Sequence, residues 1–292
     1  MAGAEAVSAV EEAASPAAVA SADLAAEAAV AGELRAAGDG PEIMASMDDK
    51  LAELVKRLQS ATTELESVVL YGSAARGDFH EGHSDLNILC TLRALTVKQL
   101  AEVSPVARWW TSTEKQPSPL FFTADELRHA ADVFAIELMD IKNSHKVLFG
   151  TDVVADIVVP MNLHRIQVEH ELRTLLLKLR QQYVQTPSDA KTLEAVLAKS
   201  HSGVVTLVRH SLIALHKTPV SSVRELFPEI AALTGASPKA LAVGLELREK
   251  GTLGGDLNAA YDACLAALEK IILALEHHVP KSEWQRTRGA TS

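Results

Sequence analysis

Aromatic residues make up only 4% of this 292-residue sequence, and cysteine occurs just twice, at Cys90 and Cys264. Two isolated thiols inside apolar stretches exclude a disulfide framework and predict buried free cysteines in a reducing compartment. Long hydrophobic runs are also missing: no stretch approaches the roughly 18 apolar residues of a membrane-spanning helix. Nor does a basic segment followed by a continuous apolar one stand at the N-terminus. A cytoplasmic protein with no membrane partner is therefore expected. Excess positive charge is absent too. The formal net charge is −10, and residues 1–50 hold ten acids against Arg35 and Lys50, so the remainder is close to neutral. A near-neutral body offers no broad basic face to a nucleic-acid backbone, which favours a small substrate over a long polymer. What is present, 48% hydrophobic and 23% charged residues, is ordinary for a globular chain of about two domains.

The first 40 residues contain 17 alanines. Alanine favours helix, but without large apolar anchors such a helix has little to bury, so residues 1–44 are expected to be a partly helical tail. From Asp48 the pattern changes. Leu51, Leu54, Val55 and Leu58 recur at helical spacing, and Ser67-Val68-Val69-Leu70-Tyr71 reads as a strand that stops at Gly72-Ser73. Ala74 to Gly77 suits a short helix. In the following segment Leu86, Ile88, Cys90 and Leu92 share one strand face, expected to pack, while Asp85 and Asn87 share the other, expected to work. A helix from about Thr96 to Trp110, a strand at Leu120 to Thr123, a helix opening at Thr123-Ala124-Asp125-Glu126 and an apolar run at Val133–Ile141, taken as a strand, complete an alternating α/β domain. That domain is expected over 45–160. Beyond Pro160 the strand signal disappears, and amphipathic helices around Leu172–Leu179, Leu193–His216 and Tyr261–His277 predict a helical bundle over 161–280, with a tail at 281–292.

The chemistry-bearing segment is Leu70-Tyr71-Gly72-Ser73-Ala74-Ala75-Arg76-Gly77-Asp78, followed after a loop by Ser84-Asp85-Leu86-Asn87. Glycine lets a backbone approach an anion, the next serine offers a hydroxyl, and a helix N-terminus favours negative charge. Arg76 adds a planar fork matched to phosphate oxygens. Oxygen-bearing side chains two apart on a strand, Asp85 and Asn87, project from one face and can hold a hard cation against a triphosphate. An acceptor hydroxyl could then attack the α-phosphorus as pyrophosphate leaves.

This pattern resembles the signature of the DNA polymerase β-like nucleotidyltransferase superfamily, and the helical half is similar to the C-terminal bundle of the aminoglycoside nucleotidyltransferases. The resemblance implies a mixed α+β or α/β sheet domain followed by an all-α bundle, Mg²⁺ or Mn²⁺ as cofactor, and ATP as the donor nucleoside triphosphate. The acceptor it implies is the hydroxyl of a small molecule or a protein. The sequence departs from the family at Asn87, where the second carboxylate is expected: an amide oxygen ligates Mg²⁺ but brings no charge. The superfamily places a third acid on a later strand, and Glu137 or Asp140 could supply it. A regular strand lets only one of them face Asp85, and Glu137, flanked by Ile136 and Leu138, is the stronger choice. Two other readings stay open: a nucleotide-binding or regulatory module whose catalysis Asn87 has weakened, and an antitoxin-like enzyme that modifies protein. His80 and His83 read as loop residues, and Trp109-Trp110 and Phe121-Phe122 as core.

Overall fold

The computed structural model describes residues 41–72, 74–76, 85–220 and 222–278. Ser73, His80, His83, residues 1–40 and the tail 281–292 lie outside the described residues, as does the side chain of Arg76.

Helix α1 (Pro41–Ala61) turns Leu51, Leu54 and Leu58 inward, as their spacing predicts. Strands β1 (Leu65–Tyr71), β2 (Asn87–Leu92), β3 (Leu120–Phe122) and β4 (His145–Gly150) form one mixed sheet in the order β3-β2-β1-β4. β1 runs antiparallel to β2 and β4, while β3 lies parallel to β2. Helix α2 (Val97–Ser112) opens on a Thr96–Gln99 capping box and helix α3 (Ala124–His129) on a Thr123–Glu126 one, each satisfying otherwise orphaned backbone donors. One face of the sheet, with Val68, Leu70, Ile88, Cys90 and Leu92, packs on Leu54 and Leu58 of α1 and on Val103, Val106 and Trp110 of α2.

The opposite face is also covered. Val69, Tyr71 and Leu89 pack against Leu127, Ala131, Leu138, Ile141, Val154 and Ile157. Every residue of β2 is therefore buried, Asn87 included, and the expected open working face is reduced to the strand's N-terminal end.

The run Val133–Ile141 is not a strand. Ala135–Asn143 forms helix α4, because Leu138 and Ile141, at helical spacing, reach the sheet while Ile136 reaches a second core. The strand parity that separated Glu137 from Asp140 gives way to a helical i, i+3 relation that puts them on neighbouring positions of one face. The fourth strand comes from His145–Gly150 instead, where Gly150 (φ +77°) lies so close to β1 that a Cβ there would sit 1.8 Å from the Glu66 carbonyl oxygen.

After this sheet the chain is helical: α5 (Met161–Gln185), α6 (Ala190–Ala214), α7 (Val223–Thr234), α8 (Pro238–Leu241), α9 (Val243–Lys250) and α10 (Leu257–His277). Leu172, Leu176 and Leu179 of α5, Leu197, Val208 and Leu212 of α6 and Leu268, Ile271 and Ile272 of α10 share one core, which Ile136 of α4 joins. Helix α4 thus belongs to the sheet on one side and to the bundle on the other. Cys90 and Cys264 are buried and unpaired, and burial pushes the Cys264 thiol up to about 11. No helix among the described residues is long and apolar enough to cross a membrane.

Candidate functional site

β1 ends at Tyr71, which pairs with Asn87 across the β1–β2 ladder. The chain then turns at Gly72, whose φ of +83° places it in the left-handed region that glycine enters without steric penalty. The Gly72 N–H donates to the Ser144 carbonyl at 3.1 Å, tying the turn to the junction of α4 and β4. A Cβ on Gly72 would lie 3.4 Å from Asn87 Nδ2. The two halves of the sequence motif therefore meet through Gly72 and Asn87. Beyond the turn, Ala74–Arg76 makes a single 3-10 turn where a short helix is expected, so the dipole available to an anion is that of a few peptides only.

Asp85 is partly exposed and stands immediately before β2. The Leu86 N–H beside it donates to Gln116 Oε1 at 2.8 Å, and Gln116 Nε2 in turn donates to the Glu114 carbonyl. Gln116 thereby fixes how β2 begins, a role the sequence does not advertise because it depends on a contact between separate segments.

The strand next to β2 decides which donors can join Asp85. In the parallel register Leu89 faces Leu120 and Thr91 faces Phe122, and both Leu120 and Phe122 pack on the core that contains Leu89. By strand alternation this is also the face of Asn87. The neighbouring strand presents hydrocarbon there.

Glu137 is buried near the start of α4 with its Oε2 accepting from Gln167 Nε2 at 3.0 Å, while Gln167 Oε1 accepts from the Ile136 N–H at 2.9 Å. Burial, set against hydrogen bonds from its own backbone and Gln167, raises its pKa. One helical turn on, Asp140 Oδ1 accepts from His210 Nε2 at 3.1 Å. Both acids reach toward α5 and α6. The structure thus brings together Gly72 and Asn87, with Asp85 two residues before Asn87, and gives Glu137 and Asp140 partners in the bundle.

The nucleotidyltransferase domain family model matches residues 49–178. That stretch is a nucleotidyltransferase domain. The assignment agrees with the polymerase β-like superfamily read from the Gly72–Asn87 motif, and with the observed mixed sheet followed by a helical region. The matched span runs from within α1 into α5 and takes in His164 and Gln167. No curated protein matches the chain.

Members of such a domain family generally use divalent cations, and a pair of hard cations needs several anionic oxygens. Asp85 contributes one carboxylate and Asn87 a neutral amide. Leu120 and Phe122 contribute nothing, and Glu137 and Asp140 are engaged elsewhere. Among the described residues no three acid, histidine or cysteine side chains are gathered for a metal ion. The donors among the described residues do not by themselves fit a two-cation centre.

Proposed function

We propose that the protein is a nucleotide-binding module built on a nucleotidyltransferase domain, holding a nucleoside triphosphate, ATP before others, at the Gly72 turn beside Asp85 and Asn87 without rapid nucleotidyl transfer. The observation that carries this reading is the hydrocarbon face of β3: Leu120 and Phe122 stand on the strand beside Asn87, on the same face. Gly72 lets a phosphate approach the backbone, and Ser73 and Arg76 supply the hydroxyl and guanidinium the motif places there. Asn87, whose amide nitrogen lies against the turn, can donate a hydrogen bond to a phosphate oxygen. An aspartate at that position would repel the phosphate unless a cation stood between them. Substitution of acid by amide therefore suits direct binding and weakens cation-assisted chemistry.

The test is incubation with each labelled triphosphate in Mg²⁺ or Mn²⁺. Saturable binding that weakens in Asp85→Ala, with no pyrophosphate released and no nucleotide added to any protein or small molecule, is expected. Pyrophosphate release that Asp85→Ala abolishes would restore the transfer reading, to a small-molecule or protein hydroxyl.

A further inference from the structure

A cavity of about 500 Å³ opens where the C-terminal end of α4 meets the C-terminal end of α6. Its size falls within the range of small-molecule sites, about 300 to 1,000 Å³. Met139, Ile157 and Ile213 form an apolar wall, and Val158 stands at the lip with 80% of its surface exposed. Two cations, Lys142 and Lys217, line the same space with Asn143 and Thr218, and no carboxylate is among the lining residues.

Both lysines are positioned by backbone. Lys142 Nζ donates to the Ile157 carbonyl at 2.7 Å, which holds the ammonium across the cavity wall while leaving two of its protons for another acceptor. Helix α6 ends with His216 at φ +58°, one of two non-glycine residues in the left-handed region among those described, and the Lys217 N–H returns to the Leu212 carbonyl at 2.9 Å. This closure of the helix, which costs a non-glycine residue about 1 kcal/mol, directs Lys217 and Thr218 to the cavity. Neither lysine has an acid within ion-pair distance among the described residues. Lysine at a helix C-terminus is ordinarily explained by the negative end of the helix. Here two full charges share one cavity with two helix C-termini worth about half a charge each.

We propose that this cavity binds a small anion with an apolar body, its carboxylate or phosphate between Lys142 and Lys217 and its hydrocarbon on Met139, Ile157 and Ile213. Asn143 and Thr218 add polar groups that fix the head. A polycation is excluded by the same two charges. The lining residues are distinct from Gly72, Asp85 and Asn87, and Asn143 borders the turn only through its neighbour Ser144, whose carbonyl accepts from the Gly72 N–H.

Titration of the full chain, labelled with ¹⁵N, with octanoate, octyl phosphate and the neutral 1-octanol tests it. Expected are saturable amide shifts at Asn143 and Thr218 with one or both anions, and weakening by about tenfold in Lys217→Ala, the loss of one charged hydrogen-bonding partner. Octanol should bind at least tenfold more weakly than the better anion. Octanoate binding without octyl phosphate, or the reverse, tells a carboxylate ligand from a phosphorylated one. Shifts of equal affinity for octanol, absence of saturable shifts with either anion, or an unchanged affinity in Lys217→Ala overturns the site. Should Lys217→Ala lose its folded spectrum, Lys217→Gln, which keeps the stem, carries the same expectation.

Discussion

Asp140 and His210 meet at 3.1 Å across the boundary between α4 and α6, and His210 Nδ1 lies 2.8 Å from His164 Nε2 on α5. The direction of this chain follows from its end. With a neutral His210 donating from Nε2 to the carboxylate, its Nδ1 is a lone pair and His164 donates from Nε2 to it. That leaves His164 Nδ1 as a buried acceptor with no partner among the described residues. A second proton on His164 would have to sit there, in a dry site beside His210.

Acid should therefore destabilise the protein well before its carboxylates titrate. Burial first, then repulsion from the His210 ring whenever it carries a proton, with Asp140 opposing, lowers His164 to about 4, and burial with Arg248 does the same for His201. Unfolded, each returns to about 6.5, so between those values the unfolded chain binds more protons and stability falls as pH falls. Below pH 6.5 the slope is up to about 1.4 kcal/mol per pH unit for each histidine. Urea midpoints at pH 7.5, 5.5 and 4.5 read this directly; midpoints that hold steady over that range would show that neither ring is held neutral by the fold.

Glu137 and Asp140 bond to Gln167 and His210 of the bundle, and on the proposed reading their substitution should touch stability and not nucleotide binding. Asp140→Ala leaves His210 Nε2 buried without its acceptor and should cost about 1 to 3 kcal/mol. Glu137→Gln relieves a carboxylate already disfavoured by burial, and it should change stability by less than about 1 kcal/mol. Nucleotide affinity should move by less than twofold in Glu137→Gln. Chemical denaturation and nucleotide titration of both variants check this, and a large loss of nucleotide affinity in Glu137→Gln would return that residue to the nucleotide site.

The segment Val133–Ile141 shows how far the sequence could be read. Nine residues of mixed apolar and acidic character fit a strand as well as a helix, and only the competing claims of two cores, Leu138 and Ile141 on the sheet and Ile136 on the bundle, decide for helix. Those cores are assembled from residues far apart in sequence. Elements whose signals are local came through: the helix starts at Thr96 and Thr123, the spacing of Leu51 to Leu58, and the strand that stops at Gly72. For β4 the sequence carried a signal, Val147-Leu148-Phe149 closed by glycine, that the stronger-looking run before it obscured. The site divides the same way. Gly72 and Asn87 were legible as a motif, whereas Gln116 holding Leu86, Gln167 holding Glu137 and the His164–His210 pair depend on chain crossings that no spacing encodes.

Gly150 should be the least tolerant glycine of the sheet. Its positive φ and the Glu66 carbonyl oxygen 1.8 Å from a prospective Cβ leave no room for alanine without parting β1 from β4. Because Ser144 at the other end of β4 holds the Gly72 N–H, parting the strands also loosens the turn. Gly150→Ala should cost upwards of about 3 kcal/mol, in the range reserved for backbone clashes at special conformations. Gly254→Ala, where a Cβ meets open space, serves as the control. Equal melting temperatures for the two variants would contradict the close approach.

Asn87→Asp separates the two chemistries open to this site. The new carboxylate would stand against the Gly72 turn with Asp85 two residues before it to share a cation and with Leu120 and Phe122 unchanged on β3. Without divalent ions, repulsion between the carboxylate and the phosphates should weaken triphosphate binding by about tenfold, about 1.4 kcal/mol. Adding Mg²⁺ should recover that loss, since one cation can bridge carboxylate and phosphate. Pyrophosphate should still not appear, because the position that would complete a second cation site remains hydrocarbon. Isothermal titration in EDTA and in Mg²⁺, with a pyrophosphate assay on the same samples, distinguishes these results. Turnover gained by this single substitution would mean that the amide alone had silenced the domain and that the hydrocarbon face of β3 is no obstacle to transfer.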